Sequence, residues 1–420
     1  MAVEEQYDEI ARCNRCGFCQ VACPIFRATG HEGGVARGRI ALLRAIIEGR
    51  IDWDKELEEP LFACLLCGAC TANCFPAVAT ADLILDARSE YLDRVGRKPL
   101  HRLLFKHLLP YPKRLRLAAR AAALSQRAGL SKVARALGLL RIFGRDFPRA
   151  EQIVERIPRK AFREDLDRHV YEGQGERRIG YFVGCGTDIM CPEAARATLG
   201  VLRRLGRTVE VLENGCCGLP PLTYGDRAAA RELAARNLEL LGPDKFDLIV
   251  TDCSSCAAFL KKYPTLFDES DPRRDAAVTF ARSVRDLVEL IAPAGDVPLP
   301  ARQEKLIATY HDPCHASRGQ GIVEQPREIL RATAGIEYRE LPEADWCCGG
   351  AGSYALAHYD LARQVLDRKI DNVKRTGADL LVTSCPACII HLSYGIRQRG
   401  LPVRVCHISE LLGAVKESPA

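Results

Sequence analysis

The chain has 420 residues, of which 47% are hydrophobic and 27% charged, and its formal net charge is +6. These values are typical of a globular protein with two or three domains, each large enough to bury a core. The N-terminal stretch MAVEEQYDEI is acidic and no apolar run approaches the roughly 18 residues of a membrane span, so we expect neither a signal peptide nor a transmembrane helix. The composition therefore predicts a cytoplasmic protein.

Cysteine is far more frequent than in an ordinary cytoplasmic chain, with 20 residues in total. A reducing compartment keeps thiols free and disfavours a disulfide framework, so this content indicates metal binding. Of the 20 cysteines, 18 fall into spaced groups. Cys191 and Cys406 stand alone, and we expect them to be small buried hydrophobic residues.

Two cysteine tetrads lie within residues 1–90. Each has the spacing C-x2-C-x2-C-x3-C of bacterial ferredoxins, in which the fourth cysteine ligates the other cluster of a pair of [4Fe–4S] cubanes. Residues 33–52, between the tetrads, have apolar residues at helical spacing, so we expect a small helical ferredoxin module. The predicted ligands of the two cubanes are Cys13, Cys16, Cys19 and Cys74 for one, and Cys64, Cys67, Cys70 and Cys23 for the other.

The tetrads leave some alternatives open. Zinc held by CxxC pairs is the alternative to cubanes, although two complete tetrads in tandem favour iron–sulfur clusters. The second tetrad ends in CFP instead of CP, and the inserted Phe75 changes the path of the chain without removing Cys74 as a ligand. Arg37 and Arg39 either offset the negative charge of the clusters or lie on the exposed surface.

Residues 94–149 are strongly basic, with 15 Lys and Arg against one acidic residue, a net charge of +14. Breaks at Pro110, Pro112 and Gly129 predict several short helices. A solvated helical linker is one interpretation, and docking on a partner or an anionic membrane surface is the other. No nucleic-acid-binding motif accompanies the charge, so we expect no nucleic acid partner.

From about residue 176 the chain repeats itself. Cys185, the pair Cys216-Cys217 and the pair Cys253 and Cys256 recur as Cys314, Cys347-Cys348 and Cys385 and Cys388, at offsets of 129 to 132 residues. In both copies, β-branched runs alternate with helical stretches, which predicts parallel sheets built from βαβ units. Every cysteine group follows a predicted strand, so five thiols are expected to meet at one sheet edge in each copy.

The adjacent cysteines of each copy are poor candidates for a disulfide. Neighbouring Cα atoms lie about 3.8 Å apart, whereas a relaxed disulfide needs roughly 4.4–6.8 Å. Because adjacent side chains diverge, Cys216 and Cys217 are better placed to bind different metal ions of one cluster. His311, His315 and His391 lie near the second group and either interact with a cluster or are ordinary buried histidines. Trp346 either shields the cluster or is a core aromatic residue.

The repeated cysteine pattern resembles the cysteine-rich CCG domain of heterodisulfide reductases and of the iron–sulfur subunits of glycolate oxidase and lactate-utilisation systems. In heterodisulfide reductase such a quintet holds a noncubane [4Fe–4S] cluster. The resemblance implies two noncubane clusters, with the ligand sets Cys185, Cys216, Cys217, Cys253 and Cys256, and Cys314, Cys347, Cys348, Cys385 and Cys388.

Over its whole length the chain resembles the glycolate oxidase iron–sulfur subunit, most clearly in CNRCGFCQVACP, ARGRIALLRAIIEGR and CCGGAGSYALAHYDLARQVLDRKIDN. The resemblance implies an α/β fold with an N-terminal helical ferredoxin module and two duplicated Rossmann-like cysteine-rich domains. The expected domains are residues 1–90 for the ferredoxin module, 91–172 for the basic connector, 173–295 for the first cysteine-rich domain and 296–420 for the second. Both CxxC ends are intact here, which is also similar to heterodisulfide reductase subunits.

No dinucleotide or P-loop fingerprint is present, so we expect no flavin on this chain. The resemblance then implies an oxidoreductase subunit that relays electrons from an FAD-containing partner, which oxidises glycolate or lactate, to a quinone or another carrier. The basic segment 94–149 would dock the partner or the inner face of the membrane. The alternative is a catalytic subunit that reduces a disulfide at a noncubane cluster, and a third interpretation is a redox sensor.

Overall fold

The computed structural model describes residues 3–97, 99–144, 146–242, 245–292 and 305–413. The N-terminal part is helical, as the sequence predicts, and its core includes the fully buried Leu43, Leu83 and Ile84. Short 3-10 helices lie at Val3–Gln6, Glu32–Gly34 and Lys55–Leu57. The α-helices are Tyr7–Ala11 (α1), Phe18–Ala22 (α2), Pro24–Thr29 (α3), Ala36–Ile47 (α4), Glu58–Phe62 (α5), Ala69–Ala72 (α6) and Thr80–Arg94 (α7).

The basic segment and the connection that follows it form several helices, which are separated at the predicted breaks; α9, with 16 residues, is longer than expected. Gly129 has a φ of +73°, a conformation that costs glycine little, and it separates two of these helices. The α-helices are Pro99–His107 (α8), Pro112–Arg127 (α9), Leu130–Ala136 (α10) and Phe147–Ala150 (α11), with 3-10 helices at Leu139–Phe143, Glu151–Ile153 and Phe162–Glu164. Leu109 is buried in the same core as the first repeat, so this segment is more than a solvated linker.

The first repeat is a sheet with strand order β1-β3-β2-β4-β5. Its strands are Val170–Tyr171 (β1), Gly175–Tyr181 (β2), Arg207–Val211 (β3), Leu248–Thr251 (β4) and Val284–Asp286 (β5). The helices are Cys185–Met190 (α12), Pro192–Arg204 (α13), Leu219–Thr223 (α14), Arg227–Leu241 (α15), Ser254–Leu260 (α16), Arg274–Ser283 (α17) and Leu287–Ile291 (α18), with a 3-10 helix at Tyr263–Leu266. β2 to β5 pair in parallel, whereas β1 pairs antiparallel with β3.

The second repeat is a parallel sheet with strand order β7-β6-β8-β9. Its strands are Leu306–Tyr310 (β6), Ile336–Tyr338 (β7), Leu380–Thr383 (β8) and Arg404–His407 (β9). The helices are Cys314–Gln320 (α19), Glu324–Ala332 (α20), Tyr354–Ala357 (α21), Tyr359–Thr376 (α22), Pro386–Gln398 (α23) and Ile408–Leu412 (α24). The order of parallel strands β3-β2-β4-β5 in the first repeat matches β7-β6-β8-β9 in the second, which supports the duplication.

The structure differs from the sequence expectations at the domain borders. The predicted border at residue 90 falls inside α7, which continues to Arg94. The border between residues 172 and 173 separates β1 from the sheet with which it pairs. The border between residues 295 and 296 lies outside the described residues. Within the part of the chain that is described, no helix is both long enough and apolar enough to cross a membrane.

The two repeats meet at the carboxyl ends of β4 and β8. The backbone N–H of Ser254 donates to the carbonyl of Ser384 at 3.1 Å, and their hydroxyls lie 2.9 Å apart. The Nε2 atom of His407 lies 2.8 Å from the carbonyl oxygen of Asp252. All four of these side chains are buried, so the edges that carry the cysteines face each other inside the protein.

Gly225 marks a close approach between α7 and the first repeat. Its φ is +86°, and a Cβ atom there would lie 2.6 Å from the backbone of Arg88. We expect Gly225→Ala to lower the free energy of unfolding by about 3 kcal/mol, from left-handed strain and overpacking together. Urea denaturation measures the change.

Gly321→Ala is the matched control, because Gly321 has a φ of +71° and a Cβ atom added there would meet no atom within 4 Å. It should cost only the strain, about 1 kcal/mol. Equal losses in the two variants would contradict the close approach.

Candidate metal sites

The two tetrads adopt the same loop conformation. Arg15 and Leu66, two residues after the first cysteine of each tetrad, both have a φ of +53°, and Gly17 and Gly68 follow with φ of +89° and +70°. This turn starts a short helix in each case, α2 and α6, and repeats the backbone that wraps three cysteines around one centre. One small cavity is lined by four predicted ligands of the first cubane together with a cysteine of the second: Cys13, Cys16, Cys19, Cys74 and Cys70.

The predicted ligand set of the second cubane is more buried than that of the first, because it includes the buried Cys23, whereas the first includes the exposed Cys16. Cys23, Cys64 and Cys70 lie close enough to interact electrostatically, and burial raises the pKa of Cys70 to about 12. Cys67, a predicted ligand of the second cubane, also contacts the thiols of Cys314 and Cys347 in the second repeat. The second tetrad therefore adjoins the second repeat through one of its own predicted ligands.

The loop that carries the second tetrad is anchored by a buried arginine and a tyrosine. Arg88 is 4% exposed and donates to the carbonyls of Leu61, Cys64 and, from the first repeat, Thr223. The hydroxyl of Tyr354 in the second repeat donates to the carbonyl of Ala63 at 3.0 Å. This loop is thus held by both repeats.

The five cysteines of the first repeat form a connected group. The Sγ atoms of Cys185 and Cys216 lie 3.8 Å apart, and contacts continue through Cys217 and Cys256 to Cys253. Two thiolates on one tetrahedral metal at about 2.3 Å lie about 3.8 Å from each other, so this spacing suits a shared metal. Four of these five cysteines are buried, and Cys185 is half-buried.

The five cysteines of the second repeat form the same kind of group. Contacts run from Cys314 through Cys347 to Cys348, whose Sγ lies 3.5 Å from that of Cys388, and then to Cys385. Cys385 also contacts Cys253 of the first repeat. The structure therefore brings each predicted quintet together and joins the two quintets at their CxxC ends.

The second cysteine of each adjacent pair is more acidic than an ordinary thiol. Hydrogen bonds with the thiols of Cys216 and Cys256 lower the pKa of Cys217 to about 5. The thiols of Cys347 and Cys388 likewise hold the pKa of Cys348 well below its usual range. Metals bind cysteine as the thiolate, so a readily deprotonated thiol in each group favours metal binding there.

Several supporting residues were not anticipated from the sequence. The side-chain amide of Asn237 donates to the carbonyl of Cys216 at 3.0 Å. The hydroxyl of Tyr263 donates to the carbonyl of Cys217 at 2.7 Å. At the position equivalent to Asn237, the fully buried Lys369 donates to the carbonyl of Ala344 at 3.1 Å. Aligning the two copies residue by residue would have revealed this position, because α15 and α22 occupy equivalent places.

Trp346, His315 and the two isolated cysteines differ in their surroundings. Trp346 is 8% exposed and Arg368 stacks on it, 4.5 Å from the ring centre. His315 pairs through Nδ1 with the hydroxyl of Ser255 at 3.0 Å. Cys406 is fully buried within β9, whereas Cys191 is partly exposed.

Comparisons with protein families agree with this arrangement. A 4Fe-4S dicluster domain matches residues 9–77, the linker region of the glycolate oxidase iron–sulfur subunit matches residues 96–154, and the cysteine-rich CCG domain matches residues 179–261 and 308–393. The chain is thus an iron–sulfur protein that combines a dicluster domain with two cysteine-rich repeats.

The similarity to individual relatives extends over nearly the whole chain. It is 31% identical to the probable glycolate oxidase iron–sulfur subunit of Bacillus subtilis, over 96% of this chain and 93% of that protein. The glycolate oxidase iron–sulfur subunit of Escherichia coli is also 31% identical, over 92% and 90% of the two chains. The chain therefore belongs to the family of glycolate oxidase iron–sulfur subunits.

Two further comparisons are more limited. A fumarate reductase (CoM/CoB) subunit of Methanothermobacter marburgensis is 34% identical over 56% of this chain and 46% of that protein. The fold is also similar to a solved structure of a hypothetical protein from Helicobacter pylori. The match covers 99% of this chain and 73% of that protein, with a TM-score of 0.56 and 7% identity. At that identity the solved structure supports the fold alone.

The two arginines of the ARGR stretch provide a test of charge compensation. Arg39 is 2% exposed, donates to the carbonyl of Pro60 at 2.5 Å and lies near Cys23 and Cys70. We expect Arg39→Met to lower the midpoint potential of the cluster at the second tetrad by about 50–100 mV, because a buried positive charge favours the reduced cluster. A redox titration followed by EPR measures the shift.

Arg37→Met is the matched control. Arg37 is half-buried, and Glu32 already pairs with it at 2.5 Å, so its charge is largely compensated. The potential should move much less in this variant. Equal shifts in both variants would show that burial of Arg39 has no special influence on the cluster.

Proposed function

We propose that the chain is the electron-transfer subunit of a flavin-dependent 2-hydroxy acid dehydrogenase. A partner flavoprotein oxidises glycolate or lactate, and this chain passes the electrons to a quinone or another carrier. When bound, two cubane and two noncubane [4Fe–4S] clusters supply the one-electron carriers. The chain's own residues hold these centres in sequence and exclude water from the inner ones.

One observation carries the proposal, namely that the cysteine groups form a continuous series of contacts. The second tetrad meets the second repeat where Cys67 contacts Cys314 and Cys347. The second repeat meets the first where Cys385 contacts Cys253. A series of adjacent one-electron centres is what an electron-transfer subunit needs, whereas a sensor with one responsive centre does not need it.

The first tetrad supports a role as the contact point for a redox partner. Cys16 is exposed, and so are three apolar residues close to predicted cluster ligands in the sequence: Phe18, Val21 and Phe75, which are 60%, 65% and 88% exposed. An apolar surface beside an exposed cluster ligand suits transient docking of another redox protein. In this view, Phe75 of the unusual CFP stretch contributes to the docking surface.

The relay is tested on protein purified anaerobically from its native host. We expect about sixteen irons per chain, four per cluster. A flavoprotein should co-purify, and glycolate or lactate should drive dye reduction. Cys67→Ser should lower the rate of dye reduction, whereas Cys191→Ser, outside the four groups, should leave iron content and rate unchanged.

Two outcomes would contradict this account. Only about eight irons per chain, or zinc in the repeats, would remove the noncubane clusters. An unchanged rate in Cys67→Ser would remove the proposed path from the second tetrad to the second repeat.

The basic segment supports docking at an anionic membrane surface. Its exposed apolar residues recur at helical spacing beside the Lys and Arg residues, an arrangement typical of interfacial helices. These residues are Leu117, Leu124, Leu130, Val133, Leu137, Leu139 and Ile142.

We expect the full chain to bind vesicles that contain phosphatidylglycerol, with an affinity that falls as salt is added. Replacing Leu130, Val133 and Leu137 together by Ser should weaken binding about tenfold or more, because apolar contact area is lost. The control is Leu240→Ser, since Leu240 is 48% exposed on α15, outside this segment. Co-sedimentation with the vesicles measures both. Equal binding by the two variants would contradict membrane docking.

Disulfide reduction is the second candidate function. The contact between Cys253 and Cys385 puts the CxxC ends of both repeats at one place, and both ends are intact. A disulfide substrate would take up two electrons and two protons there and leave as two thiols. Reduction of a disulfide by viologen dye, without any flavoprotein, would favour this candidate.

A further inference from the structure

The two cysteine-rich sites differ in the residues that surround their paired cysteines. Three residues before the first cysteine of each site, the first repeat has Phe182 and the second has His311. Both backbones occupy the same place, because the N–H of Phe182 donates to the carbonyl of Val250 at 2.8 Å and that of His311 to the equivalent Val382 at 2.9 Å. The two copies therefore carry an apolar ring and an imidazole at one fixed position.

His311 is held rigidly beside the thiols. Its carbonyl accepts a hydrogen bond from the hydroxyl of Thr383 at 3.1 Å, and the residue is fully buried. One ring nitrogen and the Sγ atoms of Cys348 and Cys388 all lie within 4.8 Å of one another. The imidazole thus faces the two thiols that are 3.5 Å apart.

Neither ring nitrogen of His311 meets hydrogen-bond geometry with any residue that the structure describes, and the group that the ring approaches is the thiol of Cys348. A buried polar group without a partner is unfavourable, and each such group in a folded protein calls for an explanation. Imidazole nitrogen together with cysteine sulfur is a donor set that iron–sulfur clusters and zinc accept. A metal at this place would satisfy the imidazole.

The other histidines near the site have different surroundings. The ring of His391 also lies near the thiol of Cys348, but its Nδ1 atom lies 2.9 Å from the carbonyl oxygen of Cys348, so a hydrogen bond to the backbone orients this ring. His315 is paired with Ser255. Of these three histidines, His311 is the one with both ring nitrogens unsatisfied among the described residues.

We propose that His311 is a nitrogen ligand of the metal centre in the second cysteine-rich site, where it acts beside Cys348 and Cys388. The first site has no equivalent donor, since Phe182 stands there. The two sites therefore differ in ligand set, and only the second binds metal through nitrogen as well as sulfur. This proposal rests on the proposed function to the extent that it needs a metal centre at the second site.

Pulsed EPR on the full chain, purified anaerobically and labelled with 15N-histidine, tests the ligand directly. The reduced protein should show a strong nitrogen hyperfine coupling, as expected for a histidine bound to the cluster. The coupling should disappear in His311→Phe, which copies the residue of the first repeat. It should remain in His391→Phe, which copies the equivalent Phe259.

His311→Cys is a control for misfolding, because it replaces the imidazole by another metal-binding side chain. This variant should retain iron at the wild-type level and lose the nitrogen coupling. A cluster signal from the second site without strong nitrogen coupling in the wild-type protein, or coupling that survives both substitutions of His311, would overturn the ligand assignment alone. Absence of any cluster from the second site would overturn both this assignment and the four-cluster relay.

Discussion

The structure depends on the meeting of two sheet edges. The carboxyl ends of β4 and β8 face each other, and the hydrogen bonds between Ser254 and Ser384 fix their separation. Parallel strands of one sheet end at the same edge. Every cysteine group that follows a strand therefore lies where the two sheet edges meet. The contact between Cys253 and Cys385 is the direct result.

So many buried thiols can lose their protons only if nearby positive charge stabilises the thiolates. Thiolates inside a protein are costly unless positive charge or metal compensates them. The chain supplies part of this charge with Arg39, Arg88 and Lys369, which are 2%, 4% and 0% exposed. Arg39 and Arg88 lie near cysteines of the two cubane sites, and Lys369 lies near Cys314 and Cys348 of the second repeat.

The amino-acid sequence was sufficient to predict the duplication, the parallel sheets and the groups of cysteines. These features have short-range signals: fixed cysteine spacing, alternating β-branched runs and a constant repeat length. The place of Cys67 next to Cys314 was not predictable, because it depends on how the N-terminal module packs on the second repeat. The domain border at residue 90 differs from the structure for a related reason, since α7 continues to Arg94 without a local break.

The asymmetry between the repeats was visible in the sequence but had no meaning without the fold. The equivalent stretches FVGC (182–185) and HDPC (311–314) begin with Phe182 and His311. Only the structure shows that this position lies beside the cysteines of the site. Phe182 and His311 form equivalent backbone hydrogen bonds, each within its own repeat, so the two positions differ only in the side chain. Duplication followed by such substitutions allows two sites with the same cysteines to take different roles in one chain.

The central claim is that the tetrads and both repeats hold iron in one continuous series. Diffraction at the iron absorption edge from crystals grown anaerobically tests this most directly. The account predicts anomalous density at the first tetrad, the second tetrad, the second repeat and the first repeat, in that spatial order. Iron confined to the N-terminal module, with none at either repeat, would contradict it.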